Sequence, residues 1–369
     1  MIKYCTKCLF PNTKPDLFFD KDGVCDACNS ASRKHGNNNS INWQERELEF
    51  SNILETCKIK DGHSYNCIIP VSGGKDSTWQ VYAMKMLHNM KPLAVTFDQF
   101  DQTDTGIDNL NVLKNIGVDH IHFTLNPVIV KKLVKKGLEI IGDPYWVNHV
   151  GMFTIPFHIA VNFKIPLLVY GENPQLEYGG PLESRDNRIL DHRWRQEFGG
   201  MRGFREEDMI DNEISAKDLS ILNYPNACEI KALKIKGIFY GQYFKWDADK
   251  HIEICKKLGW KPLESPSLGS WLNYENCDMK YIDIREYLKF LKYGYGRATD
   301  QLNIAIRNGK ISREKAMSIA KAKDGAYSES NLNQFCDYLE MSNDEFHQIA
   351  EQFVNHEILH KKCNKWILK

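Results

Sequence analysis

The sequence of 369 residues has no excess of charge of either sign and no long apolar segment. Lys plus Arg equals Asp plus Glu, 48 against 48, so no overall electric field would draw the chain onto nucleic acid or an anionic membrane. No stretch approaches the roughly 18 apolar residues that a membrane-spanning helix needs, and the start, MIKYCTKCLF, has no apolar signal segment. We therefore expect a cytoplasmic protein, although a local basic patch is compatible with this composition.

The eleven cysteines are unevenly placed along the chain. Cys5, Cys8, Cys25 and Cys28 form two C-x2-C pairs, a spacing typical of four-cysteine zinc sites, in which each pair turns both thiolates toward one ion. A closed site of this kind has no open coordination position, so we assign it to the folding of a small ribbon. The alternatives are an iron–sulfur cluster, a sulfur-carrying cysteine pair, or unrelated thiols. The other seven cysteines are isolated and are expected to be core or surface thiols.

From residue 65 onward, short apolar runs alternate with segments of helical periodicity. A helix should follow the glycine turn near residue 74, and another should begin at Asp104 or Thr105 and end at Gly117. Such alternation predicts an α/β fold, a parallel sheet with helices on both faces, in which ligands bind at the carboxyl ends of the strands. The expected strands are 66–71, 92–97, 120–124, 165–171 and 230–241.

The turn SGGKDS, residues 72–77, follows the first expected strand. Gly73 and Gly74 permit unusual backbone angles, so that successive N–H groups and the next helix N-terminus can surround a phosphate. Lys75 adds a positive charge, and Asp76 could hold magnesium bound to the phosphates. The turn has neither Walker A nor G-x-G-x-x-G spacing; the alternative is a turn without a ligand. The predicted nucleotide-binding residues are Ser72, Gly73, Gly74, Lys75, Asp76 and Ser77.

Two further groups of polar residues are candidates for the site. Glu172, Asn173 and Glu177 follow the fourth expected strand, where carboxylates could bind a second magnesium or accept a proton. Downstream, an aromatic-rich segment carries arginines suited to a phosphate, carboxylate or sugar ring; the alternative is a solvated helical face. The candidates in that segment are Lys292, Arg297, Asp300, Arg307 and Arg313.

SGGKDS after a first strand resembles the pyrophosphate-loop ATPases, whose members include asparagine and NAD synthetases and tRNA-thiolating enzymes. Together with the four-cysteine segment, GENPQLEYGG (171–180), YFKWD (243–247) and KYGYGRATDQLNIAIRNGKISREKA (292–316), it is similar to the N-acetyl sugar amidotransferase family of bacterial surface-glycan biosynthesis. The resemblance runs from Met1 to about Gly325. It implies an adenine nucleotide alpha hydrolase-like fold, with ATP, Mg²⁺ and Zn²⁺ as cofactors.

The resemblance implies conversion of a sugar N-acetyl group to an acetamidino group. ATP would adenylate the amide oxygen, ammonia would add to the carbon, and AMP would leave. The catalytic residues would be Lys75, Asp76, Glu172 and Glu177, while the end of the second strand, around Phe97 and Asp98, would contact adenine. The acceptor would be a nucleotide-linked sugar or a nonulosonic acid such as pseudaminic or legionaminic acid, in lipopolysaccharide biosynthesis or flagellin glycosylation.

The ammonia would have to come from another protein. A glutaminase with an N-terminal nucleophile needs Cys at position 2, where this chain has Ile2. The resemblance implies glutaminase and cyclase-like partners similar to the subunits of imidazole glycerol phosphate synthase.

We divide the chain into three regions. They are a four-cysteine ribbon and linker (1–42), a pyrophosphate-loop ATPase core (43–260), and a mainly helical substrate and partner region (261–369). The polar segment HGNNNSIN (35–42) is expected to be the linker, and the chain after residue 330 is expected to form terminal helices.

Two alternative functions remain open at this level. A tRNA-thiolating enzyme would share the loop and the C-x2-C pairs, but the balanced charge lacks the basic excess of an RNA binder, and the core lacks a cysteine pair for sulfur transfer. The other alternative is a catalytically silent, nucleotide-binding scaffold in a glycan-synthesis complex.

The cysteine spacing predicts about one zinc ion per chain, because four thiolates complete its coordination. Metal analysis of the purified protein measures this content. Replacing the ligand by Cys8→Ser should reduce the zinc content, whereas Cys228→Ser, at an isolated cysteine, should not. Iron in place of zinc would contradict the assignment.

Overall fold

A central sheet of six strands organises the molecule, in the order β3-β2-β1-β4-β6-β5. The computed structural model describes residues 2–35, 41–58, 64–181, 187–363 and 365–369. Five strands are parallel, and the short β5 pairs antiparallel with β6 at one edge. The strands are β1 Cys67–Pro70, β2 Pro92–Phe97, β3 Asp119–Phe123, β4 Leu167–Tyr170, β5 Ile189–Leu190 and β6 Lys236–Phe239, with a separate hairpin of β7 Leu359–Lys362 and β8 Lys365–Leu368.

Helices cover both faces of this sheet. Ile68 and Leu168 belong to a core shared with α5 and α6, whereas Ile69 and Val169 belong to a second core shared with α2, α3 and α4. The helices are α1 Asp26–His35, α2 Trp43–Cys57, α3 Lys75–Tyr82, α4 Asp104–Ile116, α5 Pro127–Ile141, α6 Trp146–Phe163, α7 Pro174–Tyr178, α8 His192–Phe198, α9 Ala227–Ala232, α10 Ala248–Lys257, α11 Ile282–Tyr293, α12 Arg297–Arg307, α13 Arg313–Lys323, α14 Glu329–Leu339 and α15 Asn343–Glu351. A strand buried on both faces is apolar throughout, which is why β1 and β4 read as continuous apolar runs. The predicted α/β fold is confirmed.

The structure differs from the sequence-based expectations at three places. Thr103 caps α4, since its hydroxyl accepts a hydrogen bond from Gly106 N at 2.9 Å; the cap was expected one or two residues later. The segment expected as a strand over 230–241 begins instead within α9, whose cap is Asn226. The terminal helices are present as α14 and α15, but the chain continues beyond them into the hairpin of β7 and β8. Each difference comes from polar caps and pairing that apolar periodicity does not report.

Helix α6 contains a proline, yet it stays tied to the sheet. Pro156 lacks the N–H that would bond the carbonyl of Met152. The hydroxyl of Tyr170, at the end of β4, donates to that carbonyl at 3.2 Å.

Of the described helices, α6 included, none is both long enough and apolar enough to cross a bilayer. The linker expected at 35–42 falls largely on residues 36–40, outside the described residues.

Gly151→Ala should destabilise the fold, because α6 lies against β2 at this glycine. A Cβ there would stand 2.4 Å from the ring of Phe97, and forcing that ring to move costs roughly 1–3 kcal/mol, more than the gain in helix propensity. Chemical denaturation measures the free energy of unfolding.

The control is Asn162→Ala, on the exposed side of the same helix, which should change stability by less than about 0.5 kcal/mol. If Gly151→Ala proves as stable as the unmodified protein, the close packing of α6 on β2 is wrong.

Candidate functional site

The glycine turn lies between β1 and α3, at the carboxyl edge of the sheet. Gly73 has φ +93°, and a Cβ on it would meet the carbonyl oxygen of Gly106 at 2.4 Å, so both backbone conformation and space require glycine. The turn is supported from behind by the indole of Trp260, which donates to Gly73 O at 2.9 Å, and by the thiol of Cys255, which donates to Lys75 O. Gly74 caps α3 without a side-chain hydrogen bond, which leaves the helix N-terminus available to an anion.

Lys75 and Asp76 form an ion pair in this turn. The side chain of Lys75 is 4% exposed, and its Nζ lies 2.5 Å from Asp76 Oδ2 and 3.8 Å from Glu275 Oε1. Burial opposes the charged form of Lys75, but these two carboxylates outweigh it and raise the pKa of Lys75 above its ordinary value. Although burial also opposes ionisation of Asp76, Lys75 and His251 lower the pKa of Asp76 to about 2. Both groups are therefore charged at neutral pH.

Two carboxylates are placed to receive a cation or a proton. Asp76 Oδ1 is buried and has no hydrogen-bond partner in the described part of the chain, and it lies 3.7 Å from His251 Nδ1. Glu172 is different, because burial and the negative charge of Asp76 raise its pKa to about 7. Asp76 therefore offers a permanently ionised oxygen suited to magnesium, whereas Glu172 can exchange a proton near neutral pH.

Two cavities meet at this ion pair. The first, which we call the loop cavity, has a volume of about 370 Å³ and lies between the glycine turn, the ends of β1, β2 and β4, and one face of α6. The second, the ribbon cavity, has a volume of about 530 Å³ and lies between α1, α7, α10 and α12. Both cavities are lined by Lys75, Asp76, Glu172, Tyr178, Tyr274 and Glu275. A ligand in one cavity can therefore reach a ligand in the other beside Asp76 and Glu172.

The ribbon cavity has aromatic walls and carries charged side chains of both signs. The ring of His251 stacks on Trp79 at 4.5 Å and stands edge-on to Trp246 at 4.6 Å. Lys34, Arg307 and Lys310 line the same cavity, together with Glu177 and Asp249, which pair with Lys34 and Lys310 respectively. Flat aromatic surface with nearby cations suits a sugar that carries an anionic group.

The four cysteines converge as their spacing predicts. Their Sγ atoms are buried and all lie within 4.8 Å of one another, with 3.6 Å between Cys8 and Cys25 and 4.0 Å between Cys5 and Cys28. Around one tetrahedral zinc ion with bonds of 2.3 Å, sulfurs would stand ~3.8 Å apart. Main-chain N–H groups also point at the sulfurs, as from Cys25 N to Cys5 Sγ at 3.2 Å. This donor set fits a single metal ion.

The metal-binding segment is joined to the ribbon cavity by direct contacts. Helix α1 begins among the cysteines and carries Lys34, which pairs with Glu177 of α7. Arg307 of α12 donates to Glu177 O at 2.8 Å and approaches Cys8 Sγ at 3.9 Å. Asp26 of α1 accepts a hydrogen bond from Gly180 N at 3.0 Å. The ribbon therefore forms one wall of the cavity rather than a detached module.

The structure brings many of the predicted site residues together. Of the glycine turn, all but Gly73 line the loop cavity, and Arg297 joins them, paired with Glu275 at 2.5 Å. Glu172 lines both cavities, while Glu177 and Arg307 line the ribbon cavity. These residues come from turns and helices widely separated in the chain.

Five predicted residues make other contacts and line neither cavity. Asn173 caps α7, and Asp98 accepts a hydrogen bond from Thr124 at 3.0 Å. The other three bind backbone or a neighbouring cation: Lys292 donates to Ile141 O and Gly142 O, Asp300 pairs with Lys289, and Arg313 donates to Cys8 O and Cys5 O.

Several lining residues carried no recognisable signal in the sequence. Trp246 stands in YFKWD, which contributed only to the family resemblance, and His251 lies outside every quoted motif. Asn148 and His149 sit in an apolar helix, and Glu275 sits in an irregular loop. Their positions depend on how distant elements pack, and no local motif reports that.

Comparisons with known proteins give one family match and one relative of substantial coverage. Residues 269–369 match the C-terminal domain of the WbpG-like LPS biosynthesis proteins. The chain is 30% identical over 279 residues to the uncharacterized protein MJ1599 of Methanocaldococcus jannaschii, which covers 74% of this chain and 79% of that protein.

Similarities to solved structures are weak. The U34-tRNA thiolase NcsA from Methanococcus maripaludis, with its [4Fe-4S] cluster, gives a TM-score of 0.32 at 15% identity, covering 86% of this chain and 89% of that one. The NMN synthetase from Francisella tularensis gives 0.29 at 11% identity, covering 62% and 99%. Scores this low support no inference about chemistry or cofactor.

The titration of Glu172 should make the stability of the protein depend on pH. Its pKa is about 7 in the folded chain against an ordinary value of 4.5, so between these values the folded protein holds a proton that the unfolded chain releases. The free energy of unfolding should therefore fall as pH rises through this range. Thermal unfolding without metal or nucleotide, at pH 4.5 and 7.5, measures this.

The matched variant is Glu172→Gln, which cannot titrate at this position. Its melting temperature should fall less than that of the unmodified protein over the same pH range. Parallel curves for the two proteins would show that the pKa of Glu172 is not raised.

Proposed function

We propose that the protein is an ATP-dependent N-acetyl sugar amidotransferase, because the chain belongs to the family of MJ1599 and residues 269–369 match the C-terminal domain of the WbpG-like LPS biosynthesis proteins. It converts the N-acetyl group of a surface-glycan sugar to an acetamidino group, releasing AMP and pyrophosphate. The observation that carries this proposal is the meeting of two cavities at Lys75, Asp76 and Glu172. One cavity contains the glycine turn, and the other combines aromatic rings with cations such as Arg307, which suit a sugar that carries an anionic group.

In the proposed first step, the acetamido oxygen attacks the α-phosphorus of ATP and the bond to pyrophosphate breaks. Main-chain N–H groups of the glycine turn and the N-terminus of α3 hold the departing pyrophosphate. Lys75 balances its charge from one side. Magnesium, held through Asp76, would neutralise further charge on the phosphates. The amide carbon, now bonded to a good leaving group, becomes electrophilic.

In the proposed second step, ammonia adds to the amide carbon, the bond from this carbon to the former amide oxygen breaks, and AMP leaves carrying that oxygen. Addition produces an ammonium group that must lose a proton before AMP departs. Glu172, whose pKa is about 7, is the residue we assign as the acceptor of that proton, since a base is most effective when its pKa lies near the working pH. Glu177 is bound to Lys34 and instead positions the wall of the ribbon cavity.

The acceptor in this proposal is a nucleotide-linked N-acetyl sugar or a nonulosonic acid, in LPS biosynthesis or flagellin glycosylation. Its ring would lie against Trp246 and His251, and its anionic group near Lys34, Arg307 and Lys310. Ammonia would come from glutaminase and cyclase-like partners, and zinc would occupy the four-cysteine site as a structural ion.

Asp76→Asn should lower AMP formation by roughly 100-fold or more, since an amide cannot hold magnesium against the phosphates and is a poor substitute for a preorganised charge. The measurement is AMP release from ATP in the presence of ammonium chloride and the acceptor. Asp108→Asn, at an exposed position of α4, is the matched control and should retain full activity. An Asp76→Asn enzyme with more than a tenth of the original rate would contradict the role.

The substrate class is tested by which acceptor stimulates AMP release. Purified protein, ATP and ammonium chloride are combined with N-acetyl nucleotide sugars, with nonulosonic acids, or with bulk tRNA. Sugar-dependent AMP together with a product one mass unit lighter, NH replacing O, is the expected result. AMP release that depends on tRNA would overturn the proposal in favour of tRNA modification, and no release with any acceptor would leave a silent scaffold.

A further inference from the structure

One face of α6 forms a slot beside the glycine turn. Asn148, His149, Met152 and Pro156, at helical spacing, all line the loop cavity. Phe97, at the end of β2, faces the same cavity from the sheet, as does Tyr170 at the end of β4. The slot is thus apolar on its broad walls and continuous with the turn that we propose holds pyrophosphate.

The polar group in this slot is an amide without a partner. Asn148 is 8% exposed. Among the described residues that line the loop cavity, it is the one amide whose nitrogen and oxygen are both buried without a hydrogen bond. Gln99, by contrast, donates to Asp278 at 3.1 Å. A buried amide that lacks both hydrogen bonds destabilises the fold. A ligand that donates to the amide oxygen and accepts from the amide nitrogen would remove this cost.

The neighbouring histidine, His149, is neutral. Arg285, held by Asp143 at 3.2 Å, donates to His149 Nε2 at 3.2 Å. The accepting nitrogen cannot carry a proton, so the proton of the neutral ring is on Nδ1. Burial, and then the charge of Arg285, lower the pKa of His149 to about 3. Arg285 also lines the cavity, but its charge is paired with Asp143, so Asn148 and His149 offer neutral hydrogen-bonding groups between apolar walls, which suits an uncharged aromatic base.

We infer that Asn148 recognises the base of the nucleotide and selects adenine. The amide oxygen accepts from the 6-amino group, and the amide nitrogen donates to the adjacent ring nitrogen, as asparagine does with adenine in other settings. A 6-oxo purine presents an acceptor where adenine presents a donor, so the amide oxygen would face another oxygen. This inference rests on the proposed use of ATP and identifies the side chain of Asn148 as the source of base specificity.

The test compares the binding of ATP with that of inosine triphosphate, which differs at position 6 of the base. Isothermal titration calorimetry with magnesium gives both dissociation constants. The unmodified protein should bind ATP at least about tenfold more tightly than inosine triphosphate, in the range expected for a bidentate amide contact. In Asn148→Leu, which keeps the side-chain size but not the hydrogen bonds, this ratio should fall to threefold or less.

The matched control is Thr154→Val. Thr154 is fully buried on the same helix and its hydroxyl has no partner within the described residues, but it lines neither cavity. This variant should keep the ATP preference of the unmodified protein. The comparison of the two nucleotides on the unmodified protein tests the inference even if Asn148→Leu fails to fold.

The outcomes separate this inference from the proposed function. Tight ATP binding without preference over inosine triphosphate, or a preference that persists in Asn148→Leu, overturns the role of Asn148 and leaves the amidotransferase proposal standing. Failure of the unmodified protein to bind either nucleotide overturns both.

Discussion

Both cavities depend on one ion pair at the start of α3. Lys75 is almost fully buried, and a buried ammonium is costly unless it is paired. Asp76 and Glu275 supply the pairing, and they come from opposite sides, one from the turn itself and one from a loop some 200 residues later in the chain. Asp76 also lies in the first turn of α3, where the helix dipole favours a negative charge. This pair therefore fixes the turn, and it fixes the point where the two cavities meet.

The ribbon is part of the site rather than an appendage. Four thiolates converge because the backbone of two C-x2-C turns leaves them close together, and α1 extends from these turns into the ribbon cavity. Arg307 contacts Cys8 on one side and Glu177 on the other. A metal ion at the cysteines would hold α1, and with it Lys34, in place. In the proposed reaction this makes the metal a determinant of acceptor binding without a role in the bond-breaking steps.

Features with local causes were predictable from the sequence. The glycine turn was recognisable because two glycines, a lysine and an aspartate follow an apolar strand. The groups that a phosphate site requires are thus adjacent in the sequence. The four cysteines were recognisable by spacing alone. The same reasoning proposed Asp98, Lys292 and Arg313 as ligand contacts, but these residues line neither cavity. Their hydrogen bonds are instead with Thr124, with the carbonyl of Gly142 and with the carbonyl of Cys8, respectively. A charged side chain can reach several partners, and which of them it contacts depends on how the helices and loops around it pack.

By itself, then, the sequence determined the parallel sheet, the turn at Gly73 and the cysteine cluster, because strand burial, backbone conformation and ligand spacing are properties of short segments. Only the tertiary structure decided that Asn148, His251 and Glu275 surround that turn, and that α1 forms a wall of the ribbon cavity. Those positions depend on contacts between segments far apart in the chain, whose energies depend on burial and pairing in three dimensions, and no short stretch of sequence encodes them.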